Sequence, residues 1–294
     1  MEANKTLYQK PKRALEFFLK AILYAAAIIT LLALFMILFT ILSQGLPYIT
    51  WDFLTSAYSE VDPNKQGILP MLINTMYVVV GVMVFSVPIG IGAAIYLTQY
   101  AKQGRLVKII RFTTEILSGI PSILFGLFGY AVFCIFFSLG TSILAGCLTM
   151  TLMVLPIIIR TTEEALLSVP ISYRDGALAL GAGKLRVILG ILLPAALPGV
   201  MTAVVLAMGR VVSESAALLY TAGMAYQMSG GLFSHFLDSG RTLTLHLYAV
   251  SKQAVDPNAY HIAFATASVL LFLIFFLNLI ANAIGWFFNR NQKK

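Results

Sequence analysis

The feature that most constrains this chain is Ala21 to Leu42, an unbroken apolar run without a charged side chain. A helix rises 1.5 Å per residue, so about 20 apolar residues cross the hydrocarbon core of a bilayer. The run is long enough to span. It is too long for the apolar region of a signal peptide and shows no small-residue cleavage site, so it reads as an uncleaved anchor. Comparable runs recur at about residues 68–100, 116–137, 141–159, 195–220 and 262–288. With 59% hydrophobic and only 11% charged residues, the chain is too apolar for a soluble domain. The expected fold class is an all-α polytopic membrane protein with six transmembrane helices.

An even number of spans puts both termini on one side, and charge says which. Residues 1–20, the loop with Lys102, Arg105, Lys108 and Arg111, residues 160–194 and residues 289–294 hold sixteen of the twenty Lys and Arg residues. The positive-inside rule makes those segments cytoplasmic, an N-in/C-in topology. The formal net charge of +8 is scattered in short groups without interleaved aromatics, which argues against nucleic acid. The resulting organisation is a basic tail (1–20), the first helix and an outer loop (21–67), a transmembrane core (68–288) enclosing a cytoplasmic loop at 160–194, and a short tail (289–294). Residues 222–260 read as extramembrane. Within them, residues 242–248 alternate Thr and Leu in a strand-like period, although an interfacial or re-entrant helix is also open there.

Glycine and proline punctuate the spans. Pro88 with Gly90 and Gly92 would kink or tilt the long second span. Gly119, Gly126 and Gly129 in the third would let helices approach closely. Cys134 and Cys147 lie in apolar runs and read as small buried hydrophobes. No phosphate-binding G-x4-G-K-[S/T] loop is present, and His235, His246 and His261 have no nucleophile or paired carboxylate near them in sequence. Neither ATP hydrolysis nor another reaction is expected of this chain.

Two places carry chemistry. The first is the polar-edged island from Ser172 to Pro194. Ser172 and Asp175 have capping-box spacing, and Gly181 can close a helix in the left-handed conformation. A second short helix would run from Lys184 with Leu185, Ile188, Leu189 and Leu192 on one face, until Pro194 breaks it. The second place is Arg210 and Glu214, four apart in the fifth span. Each would cost roughly 2.5 to 3.5 kcal/mol at the bilayer centre against lipid, so both must face protein or water. They are either an ion pair locking helices together or a path residue with its partner, because a guanidinium fork suits a tetrahedral oxyanion. Glu115 is a weaker candidate, an acid at the start of the third span.

The island also resembles a family motif. Asp175-Gly176-Ala177, Gly181, Ile191 and Leu193-Pro194 stand at the distances of the EAA loop of bacterial ABC-importer permeases, EAA-x3-G-x9-I-x-LP. Asp175 replaces Glu and Gly176 replaces Ala, the latter at about 1 kcal/mol of local helix stability. Gly119 to Gly129 and Gly209 to Ala222 further resemble signatures of the PstA-type permeases of phosphate importers. The resemblance implies a type I importer core in the bacterial inner membrane, with Asp175, Gly176, Ala177, Gly181, Ile191, Leu193 and Pro194 coupling to an ATPase. It implies a PstC-like second permease, a PstB-like ATPase dimer that holds ATP and Mg, and a phosphate-binding protein. The chain would form half of an inorganic phosphate pore. Sulfate or molybdate is the alternative within the class, and a secondary transporter the alternative outside it. The island argues against the latter, as does the lack of a visible inverted repeat.

Overall fold

The computed structural model describes residues 13–59, 66–226, 234–252 and 257–290. Lys5, Lys10, Lys12, Lys293 and Lys294, and the loop residues Glu60, Asp62 and Pro63, lie outside them. The described residues are almost wholly helical, with one isolated antiparallel bridge between Tyr58 and Gln66. Five stretches are long and apolar enough to cross a membrane: Glu16–Tyr48, Leu69–Tyr100, Ile143–Leu167, Lys184–Ser213 and Ala259–Ala283. One further pair, Arg105–Gly119 and Ser122–Phe136, is long and apolar enough only when taken together, and is bent by 102° at the break between its two helices, the shape of a broken span or a re-entrant loop.

In chain order the helices are α1 (Arg13–Gly45), α2 (Trp51–Thr55), α3 (Leu69–Ile95), α4 (Arg105–Gly119), α5 (Ser122–Gly129), α6 (Ile143–Leu167), α7 (Ile171–Ala179), α8 (Lys184–Val187), α9 (Leu193–Ser213), α10 (Ala216–Thr221), α11 (Leu243–Lys252) and α12 (Pro257–Arg290). Helices α3, α6 and α9 form the centre, packing Val78, Val82, Cys147, Met150, Val154, Ile158, Ala207 and Val211 into one buried cluster. Both cysteines are buried and free. Helix α1 packs on α12, where Gly45 lies so close to Ser268 and the Phe264 backbone that a Cβ would collide with them. Ser268 also donates to the Ile41 carbonyl at 3.1 Å. The rest of α1 turns its apolar side chains outward, Leu23, Ile29 and Phe35 among them, as a helix wetted by lipid does.

Several sequence expectations are corrected. The basic stretch at 102–111 is not a loop but enters helix α4, and Pro121 ends the following segment by holding Ile120 extended at φ −72° and ψ 132°. The fourth span continues through Arg160 to Leu167. The fifth begins at Lys184, not Ala195: Pro194 does not break it, because a π turn at Ile188–Leu192 widens the backbone just before the proline. That turn relieves the clash a proline ring makes with the preceding turn. The fifth span ends at Ser213 rather than Tyr220. Residues 243–252 form helix α11, and Leu243, Thr244, Leu245 and His246 are all buried.

Candidate functional site

The island is built as a turn welded to the ends of the central helices. Helix α7 starts after Pro170, whose ψ of 133° is extended, so Ser172 stands inside the helix and is not its cap. The predicted capping box is absent because the proline two residues earlier sets the start. The other end follows the expectation closely. Gly181 has φ +82°, the Ala182 amide donates to Ala177 at 3.1 Å, and the Gly181 amide donates to Leu178 at 3.0 Å. These are the two bonds of a Schellman turn.

Asp175 and Gly176 sit exposed on α7, while Ala177 turns inward. Ala177, Ala182 and Leu193 pack against one cluster made of Ala94 from α3, Leu166 from α6, and Val187, Ile188, Leu192, Ala196 and Val200. Ile191 lies in the π turn, and Leu193 and Pro194 open α9. The buried face of the second helix therefore carries Val187, Ile188 and Leu192. Leu185 and Leu189, expected on that face, point away and are exposed. On the free side of the turn, Ile171, Tyr173, Leu178 and Leu180 are exposed, Leu180 at 91%. An apolar tip on a rigid mount is a docking shape.

Arg210 and Glu214 are together, as their spacing predicted, but not on one helix. Glu214 is extended, at φ −83° and ψ 128°, just past the end of α9. Its Oε2 lies 3.3 Å from Arg210 Nη2, and its Oε1 accepts from the Ala217 amide at 3.2 Å, capping the start of α10. Its backbone carbonyl accepts from Thr244 of α11 at 2.9 Å. The carboxylate is thus fixed by three elements and is 6% exposed, whereas the arginine side chain is 44% exposed. A buried acid holds an open guanidinium in one orientation, leaving other N–H donors for an anion.

Sequence reasoning missed the charged cleft between α4 and α6. Arg111 Nε donates to Glu163 Oε1 at 2.8 Å, and Arg160 lies 3.2 Å from Glu164 and 4.0 Å from Glu115. Arg111, Arg160 and these three glutamates line a cleft of about 470 Å³ with Thr114, Ser118 and Pro156. The Arg160–Glu164 spacing was a usable signal; Arg111 and Glu163 come from different helices and gave none. Sequence reasoning also missed a buried polar group under the outer segment. Asn74 donates to the Arg241 carbonyl at 3.0 Å, and its Oδ1 accepts from His235 Nε2 at 2.6 Å. Arg241 lies over the rings of Tyr58 and Tyr226. The histidines are therefore packed into the scaffold, as read, with His261 stacked on Tyr48. Among the described residues no group of His, Cys, Asp and Glu could hold a metal ion.

A bundle of apolar helices with an exposed helical turn at one end of α9 and an oriented arginine toward the other is an architecture that suits a membrane permease. The chain belongs to the family described as binding-protein-dependent transport system inner membrane component, whose model matches residues 86–293. It is a multi-pass protein of the bacterial inner membrane, a component of a binding-protein-dependent transport system. It is 38% identical over 200 residues to the Haemophilus influenzae phosphate transport system permease protein PstA, covering 68% of this chain and 70% of that one. It is 32% identical over 254 residues to the probable ABC transporter permease protein YqgI of Bacillus subtilis, covering 83% and 86%. Among solved structures, a chain of a bacterial alginate ABC transporter superposes with a TM-score of 0.63 at 17% identity, over 94% of this chain and 93% of that one. A chain of the MetNI methionine ABC transporter, in an inward facing conformation, gives 0.56 at 18% identity, over 76% and 94%. These two share the fold.

Proposed function

We propose that this chain is the PstA-type permease subunit of an ATP-driven inorganic phosphate importer. It forms half of the pore beside a PstC-like subunit, receives phosphate from a phosphate-binding protein, and is driven by a PstB-like ATPase dimer that holds ATP and Mg. Both termini and the turn at 160–194 lie on the cytoplasmic side. Asp175, Gly176, Ala177 and Gly181 present the exposed tip of α7 to the ATPase, and Ile191, Leu193 and Pro194 carry its movement into α9. Arg210 at the far end of that helix meets the anion, and Glu214 orients it and limits how tightly it holds.

The observation that carries this reading is the asymmetry of the Arg210–Glu214 pair, 44% against 6% exposed. A structural lock would bury both members, since an exposed pair contributes little. A path residue needs an open cation on a fixed mount. The test is labelled phosphate uptake by the complete transporter in proteoliposomes. Uptake should need hydrolysable ATP and the binding protein, and excess sulfate or molybdate should not compete. Uptake that persists with a non-hydrolysable analogue would make the chain part of a secondary transporter. Competition by sulfate or molybdate at equal concentration would reassign the anion.

A further inference from the structure

We propose that α4 is a membrane-surface helix that binds anionic phospholipid headgroups through Lys102, Arg105 and Lys108, with Leu106, Ile109, Phe112 and Ile116 seated in the acyl boundary beneath. At 100° per residue α4 divides into three arcs. One faces the protein: Val107 is 2% exposed, Arg111 pairs with Glu163, and Thr114 and Leu117 line an apolar cleft against Leu152, Leu155 and Pro156 of α6. The second is apolar yet uncovered, with Leu106 at 63%, Ile109 at 60%, Phe112 at 63% and Ile116 at 50% exposed. The third carries Lys108 and Glu115. Lys102, Arg105 and Lys108 are exposed and make no ion pair among the described residues.

The bend supplies the orientation. Ser122–Phe136 turns away from α4 by 102°, so if the former enters the bilayer the latter lies close to its plane. Helix α4 carries an apolar stripe with Lys108 along one edge, and Arg105 and Lys102 at and just before its start, an arrangement that an interfacial helix shares. An acidic protein surface could neutralise the cations but would leave the apolar stripe without an apolar contact. A headgroup layer supplies both phosphate and acyl chain at the depths the two arcs require.

The test uses nitroxide labels at Phe112→Cys, Ile109→Cys and Lys108→Cys in the complete reconstituted transporter, with the complex lacking added cysteine as background. Oxygen, which partitions into acyl chains, should relax the labels at 112 and 109 more than a water-soluble nickel chelate does, and the label at 108 should show the reverse. Protection of 112 from both reagents would mean a protein covers the stripe; equal access to nickel would mean water does. Either overturns the proposal. In parallel, spin-labelled phosphatidylglycerol should be retained over phosphatidylcholine, and Lys102→Gln, Arg105→Gln and Lys108→Gln together should lower that preference, by about fivefold per charge at most. High salt should lower it too. Added inorganic phosphate should not, because the site takes the headgroup and not the transported anion. An unchanged preference in the triple variant would overturn the headgroup assignment. Phosphate uptake is not the readout, so the result stands apart from the proposed transport activity.

Discussion

The Ala182 amide donates to the Ala177 carbonyl at 3.1 Å, closing the chain over Gly181 at φ +82°. A Cβ at Gly181 would meet nothing within 4 Å, so a substitution there acts on the backbone and not on packing. Left-handed geometry costs an L residue roughly 1 to 2 kcal/mol, more with a β-branched side chain. Gly181→Val should therefore insert and fold but misplace the tip of α7. Phosphate uptake should fall at least tenfold while membrane abundance stays near normal; normal uptake with normal ATPase copurification would remove this turn from coupling.

Arg210→Lys keeps a charge and loses the planar fork. On the pathway reading, uptake drops while the assembled complex is recovered in normal yield. Arg210→Lys with unimpaired uptake would take the guanidinium off the path.

Glu214 has a second task, capping α10 through Ala217, so exchanging the two charged residues would disturb structure as well as electrostatics. Glu214→Gln is cleaner, since an amide oxygen can still accept from Ala217. It should preserve assembly and strengthen anion retention, seen as a lower half-saturating phosphate concentration with slower turnover. If Glu214→Gln instead abolished assembly, the pair would be a lock.

His246 is wholly buried against the Tyr58 ring, 4.6 Å between centroids, with Arg241 nearby. Burial, and then the arginine, lower its pKa from 6.5 to about 3. The unfolded chain therefore binds the proton first, so the folded state is fully favoured above pH 6.5 and loses about 1.4 kcal/mol per pH unit below it, down to about pH 3. Melting temperature should fall from pH 7.5 to 5.5, and His246→Gln should flatten that fall. An identical slope in the variant would assign the acid sensitivity elsewhere.

A Cβ on Gly199 would collide with the Ala165 side chain, where α9 crosses α6. Gly199→Leu should destabilise by about 1 to 3 kcal/mol through overpacking, lowering the melting temperature and, because this crossing adjoins the Ala177 cluster, reducing uptake too. Gly190→Ala, with open space around it, is the control expected to be silent.

What was legible in the sequence was local or compositional. Long apolar runs declared the spans, and Gly181 declared its own turn because no other residue takes that backbone freely. Four-residue spacing brought Arg210 to Glu214 even though the helix ends between them, since one further extended residue keeps the carboxylate within reach. Long-range geometry was illegible: nothing near Arg111 points to Glu163. Alternation left strand and helix both open at 242–248, because a helix buried on several sides has no polar face to set a 3.6-residue period; Thr244 and His246 are buried along with Leu243 and Leu245. Pro194 misled because a proline does not by itself end a membrane helix: Pro88, Pro156 and Pro198 also sit inside α3, α6 and α9.

The π turn at Ile188–Leu192 packs more residues into the same rise than an α-turn does, which makes it slack in an otherwise stiff rod. Were that slack to migrate past one residue toward Arg210, each residue it crossed would rotate by about 100° relative to the tip of α7. The connection between the turn at α7 and the arginine is in this sense a thread and not only a beam. A helix that can be advanced by a residue without being broken can re-aim the side chains along it by screwing, even when its two ends are held in place.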